Sequence, residues 1–150
     1  MGGQGGTWMK SAPGLWVWKY SLDGFAVSDL WYQGADDLPM YMAGLGRDYL
    51  LTANRIYDVK KKRWQVAWMA NGAGSVMGAD FGTFTALLED EEIVMTSPPG
   101  AGQFGLQRVM FYDIGDDAFK WKSEYSADEG KSWNTVMRMQ ATRIGAGEKE

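Results

Sequence analysis

Three charged residues fall inside stretches whose alternation is otherwise that of a β-strand. Asp29 lies on the same side as Val27 and Trp31, Arg55 on that of Ala53 and Tyr57, and Arg108 on that of Met110 and Tyr112. Successive side chains of a strand point to opposite faces, so each charge shares its face with apolar or aromatic neighbours. A charge withdrawn from water must be paired. If these faces are interior, Asp29 with Arg55 or Arg108 makes a buried polar cluster, in which a guanidinium can orient a ligand carboxylate or carbonyl. The plainer alternative puts all three on the wetted side. Glu124 and Arg138 face away from Trp121 and Met137 and stay outside such a cluster.

Eight tryptophans and ten methionines in 150 residues need a reason of their own. Two-residue periodicity puts Trp16 with Trp18, Trp64 with Trp68, and Phe119 with Trp121 on common faces, and Trp31 with Asp29. Turned inward, Trp16, Trp18, Trp31, Trp68 and Trp121 line an apolar site with a few N–H donors; alternatively the same rings simply fill the core. Both readings stay open from sequence. Methionine suits either, because a flexible thioether fills irregular gaps and also lines adaptable pockets.

The chain contains no histidine and no cysteine. A disulfide scaffold, a thiolate nucleophile and the usual zinc or iron–sulfur sites are excluded, as are a Ser-His-Asp triad, a histidine base and a proximal haem ligand. Acid–base chemistry would fall to carboxylates, lysine or tyrosine. No cofactor is expected. The segment Gly72 to Gly78 lacks the lysine of a phosphate loop, and the carboxylates gather at solvated turns rather than in a catalytic pair. A net charge of -4 argues against nucleic acid and against an anionic membrane as partners.

The elements that must hold these residues are short strands. Residues 14–33 read as two strands around Leu22-Asp23-Gly24, residues 49–58 and 63–70 as two more around a solvated Val59-Lys60-Lys61-Lys62 turn. Phe81 to Leu88 and Ile93 to Ser97 flank the acidic turn Glu89-Asp90-Glu91-Glu92. Phe104 to Ile114, Ala118 to Ser126 and Trp133 to Arg143 make a final meander. Ser126-Ala127-Asp128-Glu129-Gly130-Lys131-Ser132-Trp133 matches the Asp-box pattern of sialidase propellers, but one copy in so short a chain is a hairpin turn, with Asp128 accepting backbone N–H groups. Residues 35–48 fit a loop, a short helix or a lid, and residues 1–6 and 145–150 read as frayed ends. Hairpin after hairpin predicts one all-β domain over 1–150, an antiparallel up-and-down barrel of about 8–10 strands. No secretory leader, lipidation site or spanning run of about 18 apolar residues is visible, so a soluble, cytoplasmic protein is expected.

Several of these segments resemble an uncharacterised bacterial lipocalin-like (calycin) family related to the domain of unknown function numbered 1579. Gly6-Thr7-Trp8 is similar to the Gly-x-Trp of a first calycin strand, and Leu22-Asp23-Gly24 with Ser28-Asp29-Leu30-Trp31 to its first hairpin. Ile56-Tyr57-Asp58 through Trp64 and Trp68 resembles the central hairpin, and Phe119-Lys120-Trp121 through Trp133 the last. The resemblance covers nearly the whole chain, with a shortened segment before the Gly-x-Trp, which implies imperfect closure at that edge. It implies a β-barrel with an apolar cavity and no established activity; haem binding of the nitrobindin type does not carry over without histidine. The expectation is therefore a module for a small hydrophobic or amphipathic ligand. The alternatives are an isomerase or cyclase acting in the cavity without cofactor, and a packed interaction barrel whose open edge leads to a homodimer.

Overall fold

A computed structural model of the chain describes residues 12–38, 44–72, 80–100 and 105–144. They form an all-β fold of nine strands: β1 (Leu15–Ser21), β2 (Ala26–Gln33), β3 (Tyr49–Asp58), β4 (Arg63–Ala70), β5 (Phe81–Glu89), β6 (Glu92–Thr96), β7 (Leu106–Tyr112), β8 (Ala118–Ser126) and β9 (Asn134–Thr142). Each strand pairs antiparallel with the next, in the order β1 to β9, so the sheet is up-and-down throughout. In the connection expected to be a loop, helix or lid, the described residues include a 3₁₀ turn, Ala35–Asp37. The Gly-x-Trp at 6–8, the ends at 1–6 and 145–150, and most of the Gly72–Gly78 run lie outside the described residues.

Local chemistry explains the turns. The β1–β2 connection carries Leu22, Asp23 and Gly24 in the left-handed region, closed by Gly24 N–H donating to Ser21 C=O. The β5–β6 hairpin turns on Asp90 (φ 48°) and Glu91 (φ 66°), two positive-φ residues as a two-residue type I′ turn demands. Neither is glycine, so the turn carries backbone strain as well as carboxylate crowding.

The sheet curls. Trp16 on β1 lies 5.8 Å from Phe111 on β7 and 5.7 Å from Phe119 on β8, ring centre to ring centre. Six strand spacings of a flat sheet would hold β1 and β7 about 29 Å apart, so only strong coiling brings those rings together. Among the described residues no ladder joins β9 to β1, and the result is a half-barrel with two free edges. The concave side carries the core: Ala53, Val66, Phe84, Ala86, Met95, Val109 and Phe111, flanked by half-buried tryptophans. Small and large residues complement one another across it. A Cβ at Gly82 would sit 2.6 Å from Nε1 of Trp68, so the bare glycine of β5 is what lets that indole lie flat on the neighbouring strand. No helix among the described residues is long and apolar enough to cross a membrane.

Candidate ligand-binding face

Register fixes which residues share the concave side. Trp16 pairs with Trp31, Trp18 with Asp29, Asp29 with Ala53, Ala53 with Trp68, and Trp68 with Gly82, a continuous row across five strands. Arg55 follows Ala53 by two residues on the same side, opposite Val27 and Val66. At the far end Phe111 pairs with Trp121, and Trp121 with Met139. Trp16, Trp18, Asp29, Trp31, Arg55, Trp68 and Trp121 thus lie on one face, as their spacing within each strand requires.

Trp16 is the hub of the aromatic wall. Its ring centre is 4.8 Å from Trp18 and 5.2 Å from Trp31, in addition to its contacts with Phe111 and Phe119. Trp18 also meets Phe119 edge-on at 6.4 Å and remains exposed, so the wall is reachable from outside. Trp16 Nε1 is buried and has no acceptor among the described residues. Phe111 was not singled out by sequence, although its spacing from Val109 is the signal that places it here.

The polar centre of this face is Asp29. Its side chain is 0% exposed and accepts from Arg55 Nη1 at 2.8 Å and from the Ala53 backbone N–H at 2.9 Å. Arg55 is itself 13% exposed and lies over the Trp18 ring at 4.6 Å. A guanidinium has five N–H donors, and among the described residues one of them is engaged. The carboxylate thus fixes the position of a cation, and the cation keeps most of its hydrogen-bonding capacity.

Arg108 corrects the sequence reading. It does not join Asp29, because it lies on the convex side, paired across strands with Glu124 and Thr96. Its Nε donates to Glu124 Oε2 at 2.8 Å and its Nη2 lies 2.6 Å from the same oxygen, while the guanidinium covers Trp133 at 4.1 Å. Lys122 and Thr135 donate to the other oxygen, at 3.0 and 3.2 Å. Glu124, correctly expected to point away from Trp121, is nevertheless buried under these groups. Burial pushes its carboxyl up, but the hydrogen bonds and charges of Lys122 and Arg108 outweigh that and hold it below its ordinary value. The carboxylate of this second pair is saturated: it braces β7, β8 and β9 and presents no spare oxygen.

The turn between β8 and β9 is likewise structural. Asp128 accepts from Ser132 Oγ, Ser126 Oγ and the Ser132 N–H at 2.6, 2.7 and 2.8 Å, and Gly130 supplies φ 89° above Trp133. Those bonds, led by the Ser132 hydroxyl, bring the Asp128 carboxyl down from 3.8 to about 2. Because the folded value is depressed, the turn's contribution is complete above 3.8 and is lost as pH falls through about 2. In an NMR titration of side-chain carboxyl shifts Asp128 should therefore have its midpoint near 2, and Ser132→Ala should move it back toward 3.8. A midpoint already near the ordinary value in the unaltered protein would remove this account of the turn.

Among the described residues no group of three His, Cys, Asp or Glu side chains is placed to hold a metal ion. Comparison with family models, with curated proteins and with solved structures finds no match to this chain.

Proposed function

We propose that the concave face binds a small amphipathic molecule, its apolar body against the wall of Trp16, Trp18, Phe111 and Phe119 and its anionic or carbonyl group on Arg55. On this reading the chain is a lipocalin-like barrel of the calycin kind, an assignment supported by the up-and-down order of nine strands and by the aromatic concave side. The observation that carries the proposal is the state of Arg55: sheltered, stacked on an accessible tryptophan, anchored by a fully buried carboxylate, and donating a single hydrogen bond among the described residues. The Arg108 pair differs in that its carboxylate accepts from three residues and its guanidinium lies on the convex side, away from the aromatic wall.

The test is a titration of intrinsic tryptophan fluorescence with a medium-chain fatty acid and with its methyl ester. Saturable quenching is expected from both, with the acid bound about tenfold or more tighter, since a charge-assisted hydrogen bond contributes roughly 1.5–3 kcal/mol. Arg55→Lys should keep the fold and erase most of that preference, because a point charge does not reproduce the guanidinium fork. Absence of quenching by either ligand would end the proposal.

A further inference from the structure

In an up-and-down sheet the turns that follow odd-numbered strands all emerge at one end. Here that end gathers the β1–β2 turn, the lysine turn Val59-Lys60-Lys61-Lys62, the acidic β5–β6 tip and the β7–β8 turn with Asp113, Asp116 and Asp117. Two features of this rim do not belong to an ordinary solvated surface. First, Leu22, Phe25, Val59 and Leu88 stand at it, each at least 70% exposed. Isolated exposed apolar residues are commonplace, but several large ones on one rim mark a contact surface.

Second, the rim is electrically divided. Lys60, Lys61 and Lys62 are exposed on one hairpin, and Glu89, Asp90 and Glu91 on the next. Hairpins two strands apart are separated by about 10 Å, and among the described residues no ion pair joins the two tips. Lys61 reaches only its own Asp58, at 4.0 Å. Between the acidic tip and the β7–β8 turn lies an open recess of about 200 Å³ lined by Asp90, Glu91, Glu92, Ile114 and Asp113, the last paired with Lys120 at 2.7 Å. The rim therefore offers a cationic projection and, one hairpin away, an anionic receptacle.

From this arrangement we infer that two copies of the chain associate rim to rim about a two-fold axis, the lysine turn of each seated against the acidic β5–β6 tip and recess of the other. A two-fold contact is self-complementary: one patch must carry both halves of every interaction. A single copy of this rim does, and Val59 and Leu88, the exposed apolar residues at the two charged tips, would be covered by the same contact. An anionic lipid surface fits worse, because it would meet the lysines and the carboxylates together. The inference is independent of ligand binding on the concave face.

The test is sedimentation equilibrium of the full chain over a wide concentration range, at low and high salt. Expected is a concentration-dependent rise from 16.7 kDa toward twice that mass, weakened by salt. Two variants, K60E/K61E/K62E and E89K/E91K/E92K, should each associate at least about tenfold more weakly, because like charges then face one another. Mixed in equal amounts, they should recover the dimer, a result that neither misfolding nor a general salt effect produces. A strict monomer at every concentration overturns the inference, as does failure of the mixture to reassociate. So does a monomer that co-sediments through its lysines with phosphatidylglycerol vesicles.

Discussion

Asp29→Ala should destabilise the protein by about 3–5 kcal/mol, the range for removing one partner of a buried ion pair. The size follows from what is left behind. Arg55, sheltered beside Trp18, would lose its counter-ion, and the Ala53 N–H in the centre of the sheet would lose its acceptor. Arg55 cannot respond by releasing its proton, since a guanidinium stays charged at any accessible pH. Urea unfolding followed by far-ultraviolet circular dichroism measures the effect. The double variant Asp29→Ala with Arg55→Met should recover a substantial part of the loss, because it removes the stranded charge and replaces it with a side chain of similar reach. A loss under about 1 kcal/mol for the single variant would mean that the pair is hydrated like a surface salt bridge, and the polar centre of the concave face would lose its physical basis.

How much of this was legible in the sequence depends on whether one strand sufficed to decide it. The hairpin at Leu22-Asp23-Gly24 and the one at Glu89 to Glu92 were readable because turn chemistry and alternation agree locally, and both form where expected. Period-two spacing could put Asp29 with Trp31 and Arg55 with Tyr57 on common faces, but which face is inward stayed open, because β2 and β3 carry apolar and polar residues on both sides. β7 has the same difficulty. Val109 and Phe111 are apolar on one side of it, Met110 and Tyr112 on the other, so alternation offers no vote on which side is inside and Arg108 inherits apolar neighbours either way. Its face is decided by Glu124 across the strand pair, a partner sixteen residues away. Burial of Glu124 was hidden for a related reason: its partners are Arg108, Lys122 and Thr135, and no single segment contains all three.

The two arginine–carboxylate pairs show why position within the curl matters more than residue type. Both tie neighbouring strands, and both place a guanidinium on a tryptophan. On the convex side the strands splay, long side chains can lie down over the sheet, and Lys122 and Thr135 converge with Arg108 until the carboxylate is saturated. On the concave side the wall is aromatic, and Asp29 is completed by one backbone N–H and one arginine. A strand count could indicate a barrel of eight to ten strands, but whether the sheet closes depends on β1 meeting β9, a contact between the two ends of the fold that no local pattern encodes.

Trp16 allows the wall itself to be tested. Trp16→Ala should cost about 3–5 kcal/mol, since it removes the ring that contacts Trp18, Trp31, Phe111 and Phe119 at once across the mouth of the curl. Trp16→Phe should cost less than about 1.5 kcal/mol. The smaller ring gives up part of the packing, but it also removes an indole N–H that is buried with no acceptor among the described residues, and leaving such a donor unsatisfied costs roughly 1–3 kcal/mol. Urea unfolding of the two variants separates these effects, and equal losses would show that the N–H has a partner and that its hydrogen bond, not the ring stack, stabilises the site. The same phenylalanine variant bears on binding. If the indole N–H is held in reserve for a ligand oxygen, Trp16→Phe keeps its stability while its affinity for the fatty acid falls, a division between fold and function that a ring serving only as core filler would not produce.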